Sequence, residues 1–446
     1  MTCKHIGYFF FLLLGTWSCK KFVDTPVPAN ELTPDEVFSN DGGATAALLG
    51  AYYSVNNTSP SVTEDVSFFS DDLFYPNPTA ATQQMENNTY DNTVDYGFFT
   101  NYYKTIYNCN AILQAVAASQ GLSDSVATQV RAESKFLRAY GHFRLMNFYG
   151  SVPLITSTDV TVTALQGNTP VPQIYDTIIS DLKDAYASLP AAYPSAGRVR
   201  ANKWAAGALL ARVYLYEKDW SDAETVAGQV IGSGVYTLPA DLTTVFLASS
   251  NEVIWQLWQQ NGYNSVAATW IPTVTTPIYY YARPELVNAI ESGDKRKAAW
   301  LKAGTGPDST HYFPYKYKQR TTTTGSNAED LIELRLAEQY LIRAEARAQE
   351  NKVSDGLADL NVIRERAGLA DTTAADAAML LLEVEQERRI ELMLEDGHRW
   401  FDLNRTDRAN YWLGALKPTW QARDTLLPFP TTILQTNPNL KQNPGY

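Results

Sequence analysis

Two adjacent carboxylates, Asp71 and Asp72, are the best candidates in this sequence for acid–base chemistry. They lie in the stretch SFFSDDLFYPNP. A glycosidase needs two carboxylates that act on one bond from different sides, and neighbouring residues rarely aim their side chains that way. Ligand binding fits better, because acceptor oxygens beside Phe74 and Tyr75 suit the hydroxyl groups and C–H faces of a sugar. The alternative is a solvated turn or helix cap.

A second group of acids lies in QERRIELMLEDGHRW, where Glu387, Glu391 and Glu395 are spaced four residues apart. This spacing puts the three carboxylates on one face of a helix, and three arginines lie close to them in the sequence. The pattern fits an active site or a structural network of ion pairs, and we favour the network.

No other arrangement in the chain predicts catalysis. His142, His311 and His398 lack metal-ligand spacing, and there is no H-E-x-x-H or cysteine–histidine cluster. The sequence also lacks a G-x-S-x-G motif and a phosphate-binding glycine loop. We therefore expect no catalytic residue, no metal and no cofactor.

Aromatic residues make up 12% of the chain, and 27 of them are tyrosines, which suggests a use beyond filling the core. Many lie in a segment rich in Pro, Thr and Gly that has no helical period and that we expect to form loops and short strands. The candidates for ligand binding there are Trp270, Tyr279, Tyr280, Tyr281 and Trp300. If the three consecutive tyrosines are extended, they point to alternate sides.

The stretch NEVIWQLWQQ, just before this segment, predicts a strand. Its tryptophans, Trp255 and Trp258, are three residues apart and should therefore lie on opposite faces of a regular strand. We expect at least one of them to be in the core.

The first residues predict export. A short basic region and about ten apolar residues, too few to span a membrane as a helix, are typical of a signal peptide. We expect residues 1–18 to be removed, Cys19 to carry lipid, and residues 19–32 to form a tether. Cys109 would then be the only remaining cysteine, so no intramolecular disulfide could form. Because it lies on a helical pattern, we expect it to be a small buried residue.

Helical patterns dominate the first half of the remaining chain, and Thr33-Pro34-Asp35-Glu36 predicts a helix start. Two segments have the spacing of small and apolar residues seen in tetratricopeptide helix pairs. These are LLARVYLYEKDWSDAETVAGQVI and LIRAEARAQENKVSDGLADLNVI. Ordinary helical hairpins are the alternative. We expect one domain over 33–446, with parts at about 33–235 and 250–446.

An ordered set of motifs resembles the SusD/RagB family. The motifs are FVDTPVP, ALLGAYYSV, ESGDKRKAAWL, ELRLAEQYLIRAEARAQ, LNVIRERAGL, QERRIELMLEDGHRWFDLNRT and LPFPTTILQTNPNLKQNPGY. The resemblance implies a mostly α fold with tetratricopeptide-like helix pairs and an irregular binding face of loops and short strands. It also implies a Bacteroidetes-type outer-membrane lipoprotein, acylated at Cys19, that acts as a lid on a SusC-like TonB-dependent transporter.

We therefore expect a non-catalytic, surface-exposed protein that binds oligosaccharides and delivers them to such a transporter. A peptide-binding lid of the same family is one alternative, and a lipid-anchored glycosidase is another. Nucleic acid is an improbable partner, because the formal charge is −12 and no basic face is visible.

Overall fold

The computed structural model describes residues 32–273, 280–305 and 309–446. The α-helices of the first half are α1 (Pro34–Val37), α2 (Asp41–Asn56), α3 (Ser59–Phe69), α4 (Ala80–Asn87), α5 (Phe98–Ala118), α6 (Asp124–Tyr149), α7 (Val160–Thr163), α8 (Val171–Ser188), α9 (Lys203–Glu217) and α10 (Trp220–Ile231). Those of the second half are α11 (Ser265–Trp270), α12 (Pro284–Ala289), α13 (Lys295–Trp300), α14 (Leu336–Gln349), α15 (Val353–Ala367), α16 (Ala377–Glu391), α17 (His398–Arg405), α18 (Ala409–Leu416) and α19 (Thr431–Thr436). Within the described ranges, no helix combines the length and the apolar character needed to cross a membrane. The fold is mostly helical, as predicted.

Local sequence signals set helix ends, and the start at Thr33 lies where it was expected. The Thr33 side chain accepts a hydrogen bond from the Glu36 backbone N–H (3.3 Å), and the Glu36 carboxylate accepts one from the Thr33 N–H (2.7 Å). This reciprocal capping box starts α1 directly before Pro34. At the other end of a long helix, Gly150 follows α6 with a φ of 69°, a conformation that glycine adopts without steric cost.

The two segments with tetratricopeptide-like spacing form packed helix pairs, α9 with α10 and α14 with α15. Small residues allow the close approach of their backbones. A Cβ on Gly207 of α9 would meet the Val230 side chain of α10 at 3.2 Å, and one on Gly356 of α15 would meet the Ala344 carbonyl of α14 at 3.1 Å. The prediction of such helix pairs is confirmed.

Six short strands of the described residues form two sheets. The strands are β1 (Leu73–Phe74), β2 (Val253–Leu257), β3 (Tyr281–Ala282), β4 (Leu301–Ala303), β5 (Tyr312–Pro314) and β6 (Leu331–Arg335). One sheet has the order β1-β3-β5-β4, and the other is the antiparallel pair β2 and β6. The four-stranded sheet joins a segment of the first half of the chain to the aromatic segment of the second.

The two tryptophans of NEVIWQLWQQ face opposite ways, as predicted. Trp255, within β2, is fully buried, and its ring lies 4.9 Å from that of Phe136 and 5.3 Å from that of Tyr140. Trp258, directly after β2, is 58% exposed. Cys109 is buried in α5 as predicted, and burial raises the pKa of its thiol to about 12.

The acids of QERRIELMLEDGHRW lie in a buried network of ion pairs. Arg335 donates to Glu252, Glu391 and Glu395 at 2.6–2.7 Å, and all four side chains are at most 5% exposed. Burial by itself would raise the pKa of Glu391, but Arg366 and Arg335 hold it well below its usual range. The prediction of a structural network is confirmed, because these carboxylates form ion pairs with arginines in the interior of the protein.

Candidate ligand-binding surface

Two predicted segments meet in one sheet. Phe74 of β1 is the register partner of Tyr281 of β3, and their ring centroids are 5.4 Å apart. The His311 ring lies 4.7 Å from Tyr281 and 6.0 Å from Phe74. On the other side, Tyr75 and Tyr280 have ring centroids 5.7 Å apart. We call these five residues the aromatic sheet.

The aromatic sheet shows the predicted alternation. Tyr281 is buried and packs with Phe313, whereas Tyr280 is half-buried and packs against Phe68. Phe74, Tyr75 and His311 are also half-buried. The two sides of the sheet therefore each present parts of two rings, Phe74 and His311 on one side and Tyr75 and Tyr280 on the other, while the buried Tyr281 anchors the first side in the protein.

Hydrogen bonds hold the backbone under these rings. The Tyr75 N–H donates to the Glu86 carboxylate, and the Arg283 N–H donates to the Asp72 carbonyl at 2.9 Å. The Arg283 Nε also donates to the Leu73 carbonyl at 3.0 Å. A ring on such a fixed backbone loses little conformational entropy when it binds a ligand.

The half-buried Tyr280 is also fixed through its hydroxyl group, which donates to Glu64 at 2.7 Å. Burial raises the pKa of Glu64. Burial, and then the neighbouring Glu64, raise the pKa of Asp65 to about 8, so this carboxyl is mainly protonated at neutral pH. The hydrogen bond to Glu64 therefore favours one position of the Tyr280 ring.

Asp71 and Asp72 lie inside the protein, so the interpretation as a solvated turn is wrong. Asp71 is 2% exposed and accepts hydrogen bonds from Arg389 and Arg399 at 2.7 Å. Burial by itself would raise the pKa of Asp71, but Arg399 and Arg389 lower it to about 2. Burial and then Asp71 raise the pKa of Asp72 to about 6, and its carboxylate accepts from the Leu394 N–H at 3.2 Å. Their burial argues against direct ligand contact, and they instead tie β1 to α16 and α17.

Two tryptophans expected in or beside loops are buried at helix ends. Trp270 is the last residue of α11 and only 3% exposed. Trp300 is the last residue of α13, and its indole N–H donates to the Leu242 carbonyl at 3.0 Å. Each of these helices has only six residues, too few to show a periodic pattern in the sequence. Burial argues against stacking by either ring.

Tyr279 and Cys19 lie outside the described residues. Within the described ranges, no three side chains of His, Cys, Asp or Glu are grouped so that they could hold a metal ion.

A second exposed aromatic surface was missed. Trp258, Tyr53 and Leu49 line a groove of about 750 Å³, together with Asn56, Arg200 and Asp330. We call these six residues the Trp258 groove. The spacing of Trp255 and Trp258 already indicated that one indole faces outward, but only the fold shows that helix α2 places Tyr53 in the same groove.

Two family models match this chain. Residues 43–215 match a model described as "Starch-binding associating with outer membrane", and residues 273–446 match one described as "SusD family". This chain belongs to the SusD family. The recognition made from the motifs is confirmed, and residues 216–272, which include Trp258 and Trp270, lie between the two matched ranges.

Named relatives of the SusD family match over the whole chain or over part of it. "SusD-like protein P25" of Formosa agariphila is 24% identical, over 100% of both chains. "Starch-binding protein SusD" of Bacteroides thetaiotaomicron is 27% identical over 30% of this chain and 24% of its own length. A solved structure described as "Laminarin binding SusD-like protein" has a TM-score of 0.79 and 25% identity, covering 91% of this chain and 100% of that chain. These matches confirm the SusD-like fold.

Proposed function

We propose that this chain is a non-catalytic lipoprotein of the cell surface that captures oligosaccharides and delivers them to a SusC-like TonB-dependent transporter. The observation that carries the proposal is the aromatic sheet, where Phe74 and Tyr75 meet Tyr280 and Tyr281. Half-buried rings on a fixed backbone offer flat apolar faces to the C–H patches of sugar rings, and the tyrosine hydroxyl groups offer hydrogen bonds.

The names of similar proteins support this ligand class. One family model is described as starch-binding, and one solved neighbour as laminarin-binding. Starch and laminarin are both glucans, so oligosaccharides of these two polymers are the first probes to use.

The burial of Asp71 and Asp72 and the ion pairs of Asp71 argue against the alternative that the protein is a glycosidase. A glycosidase needs one carboxylic acid to protonate the leaving group and a second carboxylate placed across the scissile bond. Asp71 is engaged by two arginines, and both acids are buried beneath the surface. Neither is placed to contact a substrate.

A glycan array tests the proposed ligand class. The purified protein should bind immobilised starch or laminarin oligosaccharides without releasing reducing ends. Binding only to a peptide library would support the peptide-binding lid, and reducing ends released by the wild-type protein would support the glycosidase. Either result would overturn the proposal.

The proposed anchor is tested by Cys19→Ala. We expect this variant to lose metabolic labelling with palmitate and to leave the membrane fraction, because the acylated thiol is the only proposed membrane attachment. Cys109→Ala is the matched control, since that thiol is buried. Unchanged labelling of Cys19→Ala would show that a different residue is acylated.

The proposed transporter partner is tested by extraction in mild detergent at native expression. We expect a large outer-membrane β-barrel to co-purify, because a lid over a barrel mouth needs an interface above the roughly 1,600 Å² of a standard complex. Recovery of this chain alone would contradict the proposed partnership.

A further inference from the structure

Two of the most exposed aromatic side chains of the described residues lie in one groove away from the aromatic sheet. Trp258 is 58% exposed and Tyr53 is 65% exposed, and both line the Trp258 groove. The groove shares no lining residue with the aromatic sheet. Helix α3 contacts both α2, which carries Tyr53, and β1 of the aromatic sheet, so it connects the two surfaces.

The backbone that carries Trp258 is held by side chains from two other elements. Asn56 of α2 donates to the Trp258 carbonyl at 2.8 Å and accepts from the Gln259 side chain at 2.9 Å. The Gln259 backbone N–H donates to Asp330 at 2.7 Å. The exposed indole therefore stands on a fixed backbone, which lowers the entropic cost of binding a ligand.

Hydrogen-bonding groups surround the exposed rings. Arg200 is oriented by Glu133, which accepts from Nε at 3.1 Å and from Nη2 at 2.6 Å. Within the described part of the chain, the third nitrogen of this guanidinium, Nη1, has no hydrogen-bond partner. The same holds for the Asp330 Oδ2 atom, the Tyr53 hydroxyl and the Trp258 indole N–H. The groove thus combines two flat apolar faces with two donors, an acceptor and a hydroxyl.

We propose that the Trp258 groove is a second oligosaccharide-binding surface, separate from the aromatic sheet. A sugar ring presents C–H patches for stacking and hydroxyl groups for hydrogen bonds, and this mixture matches the groove. A purely apolar partner surface would leave Arg200 Nη1 and Asp330 Oδ2 without partners, which is costly on burial. The inference rests on the proposed function for its ligand class, but not for its location.

The groove combines residues from the ranges that the two family models match with one residue from the segment between them. Trp258 lies in residues 216–272, between the two matched ranges. Tyr53 and Asn56, by contrast, lie within the first matched range. Trp258 is therefore the one residue of the groove that lies outside both matched ranges.

Three variants test the groove against starch and laminarin oligosaccharides. We expect Trp258→Ala and Tyr53→Ala each to lower affinity about tenfold, which corresponds to about 1.4 kcal/mol. Their melting temperatures should stay close to that of the wild type, because both side chains are exposed. Tyr411→Ala is the matched control, since Tyr411 is 63% exposed and lies outside the groove, and it should bind as the wild type does.

Hydroxyl-radical footprinting of the wild-type protein gives an independent readout. Saturating oligosaccharide should protect Trp258 and Tyr53 from oxidation and leave Tyr411 unprotected. If Trp258→Ala binds normally and Trp258 is not protected, while substitution of Tyr280 abolishes binding, the groove is refuted and the proposed function stands. If the wild-type protein binds neither type of oligosaccharide, both proposals fail. If Trp258 is protected only when the transporter is added, the groove binds protein and the inference is wrong.

Discussion

Phe74 and Tyr281 are register partners in an antiparallel strand pair, and their ring centroids are 5.4 Å apart. The pairing brings Tyr75 and Tyr280 together on the other side of the same two strands. One strand contact thus assembles the aromatic sheet from opposite halves of the chain, and the rings on its two sides can be tested separately.

The half-buried Tyr280 provides the first test of the aromatic sheet. Tyr280→Ala should lower the affinity for oligosaccharides by about 1–3 kcal/mol, because it removes a large apolar contact. Tyr280→Phe keeps the ring but loses the hydrogen bond to Glu64, so it should retain most of the affinity and lose some thermal stability. Calorimetric titration and thermal melting measure the two effects. If Tyr280→Ala and the wild type bind with equal affinity, Tyr280 does not contact the oligosaccharide.

The buried Trp270 should behave as a core residue. Trp270→Ala should reduce the free energy of unfolding by about 3–5 kcal/mol, because a large side chain at 3% exposure leaves a cavity. Affinity per folded molecule should not change. Circular-dichroism melting combined with calorimetric titration separates stability from binding. If Trp270→Ala has normal stability and reduced affinity, Trp270 stacks on the ligand, as the sequence suggested.

Loss of the Asp71 carboxylate should destabilise the fold. Asp71→Asn leaves the buried Arg389 and Arg399 without their counter-charge, which should cost about 3–5 kcal/mol. Asp371→Asn is the control, because Asp371 is exposed. The pKa of Asp71 is about 2 in the folded protein and about 3.9 in an unfolded chain. Its contribution is therefore complete above about pH 4 and declines as the pH falls towards 2.

Urea unfolding at several pH values measures this contribution. The stability difference between Asp71→Asn and wild type should shrink below about pH 4. A difference that stays constant over this range would show that the ionised carboxylate does not stabilise the fold.

The neighbouring Asp72 should show the opposite sign. Burial and Asp71 raise its pKa to about 6 in the folded protein, so folding favours its protonated form. Its contribution to stability is present below the unfolded pKa of about 3.9 and is lost as the pH rises through about 6. Asp72→Asn should therefore stabilise the protein at pH 7, by an amount on the order of 3 kcal/mol that becomes small near pH 4. Urea unfolding checks this, and a destabilised variant at pH 7 would show that the ionised form is needed.

Several features followed from local sequence. The capping box at Thr33 and the helix end at Gly150 depend on residues within one turn, so their signals are visible in the sequence. The alternation of Tyr280 and Tyr281 follows from the period of a strand. The opposite faces of Trp255 and Trp258 follow from the same period.

The tertiary structure decided which polar and aromatic residues are at the surface. Asp71 looked like a ligand-binding acid because its sequence neighbours are aromatic, but its partners Arg389 and Arg399 lie more than 300 residues away in the chain. Trp270 looked exposed because its helix is too short to have a visible period. Burial depends on contacts between distant segments, which no local spacing encodes.

The sequence by itself determined the helical character of the chain, the positions of several helix ends and its membership of the SusD family, because these depend on local patterns and on their order. Only the tertiary structure brought Phe74 to Tyr281 and Tyr53 into the groove of Trp258. The physical reason is that a binding surface is made by the packing of elements far apart in the chain. The exposure of each ring is fixed by the neighbours that packing gives it.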